Sequence, residues 1–204
     1  MKNLVVSLAA LACASAAAQA QVVFSSNFES GMPAGVGGYG YITGTQGFVG
    51  YGFGNNLLIN DSTGDPAAAT TITINGLPSH TQLSLSFLLA VIDSWDGPNG
   101  NPAPDYFNVL VDGNPVFQTS FAHASGSGNY GGTPLVFNQN LGFWIYGESA
   151  YNMGLEPSLQ NIAHTASSVT ISIFASGAGW QGSFDEAWGI DNLEVTVTPT
   201  PSAA

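Results

Sequence analysis

Short segments in which apolar and polar residues alternate, separated by turn-forming residues, dominate the chain after residue 20. In residues 83–92 and 106–111 every second position is apolar, which is typical of strands with one face on a core. No segment keeps a helical apolar period over three turns, and only residues 156–164 could form a helical turn or two. The pattern therefore predicts an all-β fold, a two-layer antiparallel jelly-roll β-sandwich.

Ten strands are expected, at residues 22–28, 39–43, 57–60, 70–75, 83–92, 106–111, 115–121, 143–146, 169–175 and 190–197. Asp112-Gly113 lies between two β-rich runs and predicts a hairpin turn. The Gly-rich segment 31–56 carries interleaved aromatic residues. We expect it to form an ordered loop whose rings cover the edge of the core, and the alternative is an aromatic platform for sugar rings.

The first twenty residues have the features of a cleavable secretory signal. Lys2 supplies a positive charge, residues 4–12 are apolar, and residues 18–20 (Ala-Gln-Ala) fit the small-x-small cleavage rule. The apolar stretch is too short for a permanent membrane helix. The alternative is a lipoprotein box at residues 10–13 (Ala-Leu-Ala-Cys). Residues 1–20 are therefore predicted to direct export, and the predicted location is secreted or cell surface.

The rest of the chain is expected to form one domain followed by a short tail. Residues 21–197 are enough for a two-layer core in a single domain. Residues 198–204 are rich in Pro and Thr, a composition that does not pack and is typical of an extended linker.

The charge of the chain excludes several classes of function. After residue 20 the chain holds all thirteen Asp and Glu residues and no Lys, Arg or Cys. Nucleic-acid binding requires cationic side chains on the phosphates, and anionic membranes repel an acidic protein. Disulfide frameworks and cysteine metal sites require cysteine. We therefore expect neither nucleic acid nor an anionic membrane as a partner.

Strand alternation places three acidic residues next to the core. Asp93 continues the apolar face of residues 83–91, and Asp105 is in phase with the inward residues of 107–111. Asp191 is in phase with the apolar residues of 193–197. A buried charged carboxylate without a partner costs several kcal/mol. With no Lys or Arg available, the remaining compensations are backbone N–H donors, a histidine, a raised pKa or a bound cation.

Calcium is the cation that this composition favours, because Ca²⁺ takes about six to eight oxygen ligands from carboxylates, amides and carbonyls. We expect one site at Glu29 and Asp191, since the first and last strands of a jelly roll commonly pair. A second site is expected at Asp93 and Asp105, with Asp96 in the connecting loop. The alternative is that these acids only cap turns.

Three groups of residues resemble secreted jelly-roll domains of the MAM-like, lectin-like and carbohydrate-binding-module-like group: residues 28–31 (Phe-Glu-Ser-Gly), 92–97 (Ile-Asp-Ser-Trp-Asp-Gly) with 105–107 (Asp-Tyr-Phe), and 188–192 (Trp-Gly-Ile-Asp-Asn). The resemblance implies that Glu29 and Asp191 share a structural calcium ion. The last residues are similar to the lead-in to the sorting tail of PEP-CTERM-type exported bacterial proteins.

The function predicted from these observations is a non-catalytic secreted or cell-surface domain with structural calcium, in an extracellular matrix or adhesion role. The alternative is a carbohydrate-binding module, with polysaccharide as the partner and sugars stacked on Trp144, Tyr146, Tyr151 and Trp180. A carboxylate-pair glycoside hydrolase is the third possibility. It has less support, because adjacent acids such as Asp185 and Glu186 face opposite sides of a strand.

Overall fold

The computed structural model describes residues 19–124 and 126–200. Residues 1–18 of the predicted signal and 201–204 of the predicted tail lie outside the described residues. The strands are β1 (Gln21–Ser26), β2 (Val36–Gly38), β3 (Tyr41–Gly44), β4 (Asn56–Asn60), β5 (Thr70–Asn75), β6 (His80–Asp93), β7 (Tyr106–Val111), β8 (Asn114–Thr119), β9 (Pro134–Gln139), β10 (Glu148–Asn152), β11 (Ile162–Ala163), β12 (Ser168–Ser176) and β13 (Glu186–Pro199).

The helical elements in the described part of the chain are short 3₁₀ turns at Gln46–Tyr51, Met153–Leu155 and Pro157–Leu159. The last of these lies in the segment for which a helical turn was predicted, and the Glu156 side chain accepts a hydrogen bond from the Ser158 N–H at its start. Across residues 19–124 and 126–200, no helix has the length and apolar character needed to cross a membrane.

The strands form two antiparallel sheets. The first sheet has the order β3-β4-β13-β6-β10-β9, with β1 also paired to β13 and β11 to β6, and the second has the order β2-β5-β12-β7-β8. The two longest strands, β6 and β13, pair along their whole length. The predicted all-β fold, a two-layer antiparallel jelly-roll β-sandwich, is confirmed.

The main core lies between the two sheets. The inward residues of β6, such as Leu85 and Phe87, pack with inward residues of the second sheet, such as Val109 and Ile171. All four side chains are fully buried. Apolar burial at about 25 cal/mol per Å² is the dominant stabilising contribution to such a sandwich.

A second apolar cluster covers the outer face of the first sheet. Phe48 and Phe53 from the Gly-rich segment pack on Ile59 and Ile92, and all four are buried. The buried rings of this segment therefore cover the outer face of the first sheet, whereas they were predicted to cover the edge of the core. Tyr39 and Tyr41 of the same segment remain about two-fifths exposed.

Several predicted boundaries differ from the observed ones. Residues 143–146 were predicted as a strand because they are aromatic and β-branched, but they form an irregular loop. The neighbouring β9 and β10 were not predicted, since neither alternates cleanly between apolar and polar residues. Strand β13 continues to Pro199, two residues into the segment predicted as a linker.

A bulge in β13 changes the direction of Asp191. The pairing register with β6 is irregular between Asp191 and Glu194, and Asn192 has a φ of 50°. Ile190 and Leu193 both belong to the core between the sheets. The extra residue shifts the alternation, so Asp191 points to the outer face of the first sheet. The prediction that it shares the inward face with residues 193–197 is wrong.

Candidate functional site

Three acidic side chains converge at one end of the sandwich. Asp96 follows β6, Asp105 precedes β7, and Glu186 begins β13, where it pairs with Asp93 at the end of β6. Ligand atoms of Asp96, Asp105 and Glu186 all lie within 4.8 Å of one another. The three residues are 5%, 0% and 0% exposed. The structure therefore brings together carboxylates from both sheets in a site that is closed to solvent.

Backbone amides hold one oxygen of each of two carboxylates. Asp105 Oδ2 accepts a hydrogen bond from the Asp96 N–H, and Glu186 Oε2 accepts one from the Gln181 N–H at 3.4 Å. The Asp105 N–H in turn donates to the Asp96 carbonyl at 2.9 Å. The other oxygens, Asp105 Oδ1 and Glu186 Oε1, are buried and have no hydrogen-bond partner among the described residues.

No Lys or Arg side chain of the described residues lies in this site to compensate its charge. Burial raises the pKa of Asp105 to about 7, against the Asp96 N–H that lowers it, and the negative charges of Asp96 and Asp185 raise it further. Burial also raises the pKa of Glu186 to about 9, with the charge of Asp105 as the next cause. Neither Lys nor Arg occurs among residues 19–124 and 126–200.

Asp93 does not join this group of three, although it was predicted to share a site with Asp105. Asp93 is the last residue of β6 and has a φ of 63°. Its Oδ2 accepts hydrogen bonds from the N–H groups of Ile145 at 2.6 Å and Tyr146 at 3.3 Å. Burial raises the pKa of Asp93, while these N–H groups lower it. Asp93 therefore holds the loop 143–146 in place, and Glu186 occupies the position expected for it.

Sequence reasoning missed Glu186, and also Glu148, which is buried with Oε1 lacking a partner among the described residues. A signal for Glu186 was present, because it is two and four residues before the inward Trp188 and Ile190. The same step of two that selected Asp93 would have selected Glu186. Its neighbour Asp185 lies in the turn before β13, and its negative charge acts on both Asp105 and Glu186.

Glu29 and Asp191 meet at a different place, beside Gly54. Asp191 Oδ2 accepts from the Gly54 N–H at 2.7 Å, and Glu29 Oε1 accepts from the Asn56 N–H at 3.0 Å. A Cβ on Gly54 would collide with Glu29 Oε1 and lie 3.6 Å from Asp191 Oδ2. The predicted pair is therefore brought together, and calcium at this pair stays a prediction.

Backbone donors already compensate both carboxylates of this pair. The pKa of Glu29 is lowered, first by the hydrogen bond from the Asn56 N–H. The pKa of Asp191 is raised by burial, against the N–H groups of Gly54 and Asn192 that lower it. The N–H groups of Gly54 and Asn56 come from a segment distant in the chain, so these hydrogen bonds are not the turn caps considered as the alternative from the sequence.

Replacing Asp191 with Ala is expected to lower the free energy of unfolding by about 1–3 kcal/mol, because it leaves the N–H of Gly54 without its acceptor. Glu194 is only half-buried, and Glu194→Ala should change stability by less than about 0.5 kcal/mol. Urea unfolding of both variants at neutral pH measures the difference. Equal losses would contradict the placement of Asp191 beneath the segment that carries Gly54.

Two of the four aromatic residues predicted to stack on sugars belong to the core. Trp180 is 6% exposed, and its Nε1–H donates to the Ser62 carbonyl at 2.8 Å. Tyr151 is 5% exposed and packs against Phe121. The prediction that Trp180 and Tyr151 contact a ligand is wrong, since burial leaves neither ring a face for a sugar.

The other two predicted residues lie at the surface in an aromatic patch, which we define as Trp144, Ile145, Tyr146 and Phe184. Ile145 is 83% exposed, Phe184 77% and Tyr146 47%. The rings of Trp144 and Phe184 meet edge to face with centroids 5.8 Å apart. Phe184 was not identified from the sequence, where nothing separates it from a core phenylalanine.

A cavity of about 330 Å³, which we call the tyrosine cavity, includes in its lining Ser183, the residue before Phe184. It is lined by Tyr39, Asp61, Ser62, Thr63, Ala68 and Ser183. The hydroxyls of Tyr39 and Tyr41 donate to the two carboxylate oxygens of Asp61, each at 2.9 Å. Burial and the hydrogen bond to Asp61 raise the pKa of Tyr41 to about 12, so its hydroxyl stays protonated.

No protein-family model and no curated protein matches the chain. Among solved structures, it is similar to the CBM22-1 xylan-binding domain from Paenibacillus barcinonensis Xyn10C, with 13% identity, a TM-score of 0.47, and coverage of 91% of this chain and 99% of that one. It is also similar to TmCBM61 in complex with β-1,4-galactotriose, with 11% identity, a TM-score of 0.42, and coverage of 83% and 92%.

A third similar structure is the K3 adhesin domain of Lys-gingipain from Porphyromonas gingivalis, with 11% identity, a TM-score of 0.43, and coverage of 87% of this chain and 99% of that one. At these identities and TM-scores, the similarity carries no information about the ligand of this chain. The site must therefore be interpreted from its own residues.

Proposed function

We propose that this domain binds polysaccharide without cleaving it, through the aromatic patch and the adjoining tyrosine cavity. The observation that carries the proposal is the contact between the half-buried ring of Trp144 and the exposed ring of Phe184, beside the exposed Tyr146. Apolar sugar faces stack on aromatic rings, and large exposed rings grouped in one place are unusual unless they contact a partner. This is the carbohydrate-binding alternative considered from the sequence.

The loop that carries the patch is fixed in place before any ligand arrives. The buried carboxylate of Asp93 accepts the N–H groups of Ile145 and Tyr146, which anchors the exposed side chains to the end of β6. A surface ordered in advance loses less conformational entropy on binding. This anchoring supports a binding role for the patch over that of a mobile surface loop.

The tyrosine cavity supplies the polar contacts that a sugar also requires. Tyr39 and Tyr41 donate to Asp61, so their oxygens keep lone pairs that can accept hydrogen bonds from sugar hydroxyls. Ser183 lines this cavity, and the next residue, Phe184, contacts Trp144. A sugar chain long enough to reach both Phe184 and the cavity at Ser183 would contact both, so the arrangement suits an extended oligosaccharide better than a single sugar ring.

The lack of Lys and Arg among residues 19–124 and 126–200 favours a neutral polysaccharide. Uronate and sulfate groups need Lys or Arg to compensate their charge, and the described part of the chain contains neither. The Asp61 carboxylate would repel an anionic chain passing through the cavity. Neutral glycans with free hydroxyls match both the patch and the cavity.

Glycoside hydrolysis has less support from this arrangement. That chemistry requires two carboxyl groups in contact with the substrate, and Asp96, Asp105 and Glu186 are almost completely buried. The matrix or adhesion role first predicted is compatible with polysaccharide binding at an extracellular location. The aromatic patch makes the binding role the more specific proposal.

Trp144→Ala and Phe184→Ala are expected to weaken binding to a neutral soluble polysaccharide roughly five- to twelvefold each, because an aromatic contact of this kind contributes about 1–1.5 kcal/mol. Affinity electrophoresis against xylan, β-1,4-galactan, mixed-linkage β-glucan and pectin, followed by calorimetry on the best ligand, measures the effect. Pectin is the anionic member of the panel and should not bind.

Leu155→Ala provides the matched control, since Leu155 is 77% exposed and apolar but lies on the 3₁₀ turn at Met153–Leu155. It should bind like the wild type, and all variants should keep the wild-type melting temperature within a few degrees. No binding by the wild type to any neutral member, or equal binding by Trp144→Ala and the wild type, would refute the proposal.

A further inference from the structure

We propose that Asp96, Asp105 and Glu186 form a buried Ca²⁺ site that ties the end of β6 to the starts of β7 and β13. The ligand atoms of the three side chains lie within 4.8 Å of one another. Oxygen atoms bound to one Ca²⁺ at about 2.3–2.6 Å lie about 3–5 Å apart. The spacing is therefore that of ligands around a shared cation.

The unpartnered oxygens are the second observation. Asp105 and Glu186 are both 0% exposed, and each has one carboxylate oxygen without a hydrogen-bond partner among the described residues. Buried side-chain oxygens nearly always have a partner, and each exception needs a physical explanation. A cation between the carboxylates would satisfy both oxygens together, which no side chain of residues 19–124 or 126–200 does.

The surrounding backbone is arranged to orient the carboxylates. The Asp96 N–H holds the second oxygen of Asp105, and the Gln181 N–H holds the second oxygen of Glu186. Each carboxylate thus has one oxygen fixed by the backbone and one left for a ligand. A Cβ at Gly179 would lie 2.5 Å from Asp105 Oδ1, so the backbone there must pass close to this free oxygen.

The chemistry of the ligands favours calcium over other divalent ions. All three side chains offer carboxylate oxygen, whereas zinc and the later transition metals favour histidine or cysteine. The three residues come from two loops and one strand end, an irregular arrangement that the flexible coordination of Ca²⁺ accepts. Magnesium requires a near-regular octahedron and keeps several waters, which a closed site does not easily hold.

Terbium luminescence tests the site, because Tb³⁺ occupies calcium sites and emits when a nearby tryptophan is excited. Trp95 precedes Asp96 in the chain and packs against Trp180, 5.2 Å between ring centroids. Purified protein excited at the tryptophan band should show sensitised Tb³⁺ emission that Ca²⁺ removes by competition. Glu186→Gln and Asp105→Asn should each weaken Ca²⁺ binding, measured by this competition, at least about tenfold.

Two matched variants separate this site from other acids. Glu29→Gln removes a carboxylate from the pair beside Gly54, and Glu194→Gln removes a half-buried acid elsewhere on β13. Both should keep the tryptophan-sensitised emission. Because amide variants keep the size of the side chain, circular dichroism is expected to show that they fold.

Three results would overturn the inference: no Tb³⁺ or Ca²⁺ binding by the wild type, unchanged binding by both Glu186→Gln and Asp105→Asn, or loss of binding only in Glu29→Gln. The first result would mean that bound protons, and not a metal ion, neutralise these carboxyl groups. The last would assign the cation to the pair at Glu29 and Asp191. Polysaccharide binding is measured separately and does not enter this test.

Discussion

In a buffer containing a calcium chelator, the domain is expected to lose thermal stability steeply as the pH rises from about 7 to about 9. Burial raises the pKa of Asp105 from 3.8 to about 7 and that of Glu186 from 4.5 to about 9. An acid with a raised pKa in the folded state binds its proton more tightly there than in the unfolded chain. Its contribution to stability is full below the unfolded pKa and disappears as the pH rises through the folded one.

The charged side chains that face these two acids all raise their pKa values. The charges of Asp96 and Asp185 raise both pKa values, while the N–H groups of Asp96 and Gln181 lower those of Asp105 and Glu186 without cancelling the shift. No Lys or Arg is present among the described residues to reverse it. The charged forms are therefore destabilising in the absence of a cation.

The titration of His123 also changes the stability of the domain, but only at acidic pH. Burial lowers its pKa from 6.5 to about 4, so its contribution to stability is present above 6.5 and lost as the pH falls through about 4. This effect opposes that of the acids at low pH and is constant above neutrality. Between pH 7 and 9, Glu186 and the remaining protonated fraction of Asp105 dominate the pH dependence.

The expected loss over these two pH units is about 2–3 kcal/mol, which corresponds to a fall in melting temperature of roughly 5–10 °C for a domain of this size. Calorimetric scans in chelator at half-unit pH steps measure it. Glu186→Gln should flatten most of the slope, and Glu194→Gln should leave it unchanged. A stability that is constant or rises over this range in the wild type would contradict the burial of these carboxyl groups.

Added Ca²⁺ should reverse the trend if the proposed cation site is correct. Binding requires the ionised carboxylates, so the stabilisation by Ca²⁺ grows as the pH rises. The curves with and without chelator should therefore separate most at pH 9. A protein whose slope is present in chelator but unaffected by Ca²⁺ would support the buried acids and reject the cation.

The fold was predictable because its strongest signals are local. The alternation in residues 83–92 and the Asp112-Gly113 turn need only the rules of strand geometry, and both correspond to observed elements, β6 and the β7–β8 hairpin. Residues 143–146 show the limit of such signals. Their aromatic and β-branched composition favours a strand, but the Asp93 carboxylate binds their N–H groups and holds them in a loop.

The candidate site was predictable only in part, because its geometry depends on contacts between distant segments. Strand alternation correctly predicted that Asp105 is buried. For Asp191 it predicted the wrong face of the sheet, because the bulge at Asn192 shifts the alternation by one residue. The same alternation also selects Glu186, which is in phase with the inward Trp188 and Ile190. Which acids meet is determined by pairing across the sheet, and the sequence alone does not give that register.

The aromatic residues show the same limit. Trp144 and Trp180 both lie in segments rich in Gly and aromatic residues, and no feature of these segments distinguishes a buried ring from an exposed one. The structure places Trp180 against Trp95 in the core and Trp144 at the surface beside Phe184. The two substitutions should therefore have opposite consequences.

Trp180→Ala is expected to lower the free energy of unfolding by about 3–5 kcal/mol, the usual cost of removing a buried large aromatic side chain. The loss has two sources: the cavity left beside Trp95 and the Ser62 carbonyl deprived of its hydrogen-bond donor. Trp144→Ala should cost much less stability, since its ring is only half-buried. Denaturant unfolding at a pH near 6, where most of the acidic cluster is protonated, compares the two variants directly.

Binding measurements on the same variants complete the comparison. At a temperature where Trp180→Ala remains folded, it should bind polysaccharide like the wild type, whereas Trp144→Ala should bind roughly five- to twelvefold more weakly. Trp180→Phe should recover part of the stability, because phenylalanine refills most of the cavity without restoring the hydrogen bond to Ser62. A stable Trp180→Ala variant that cannot bind polysaccharide would mean that the ring contacts the ligand, and the division between core and patch would then be wrong.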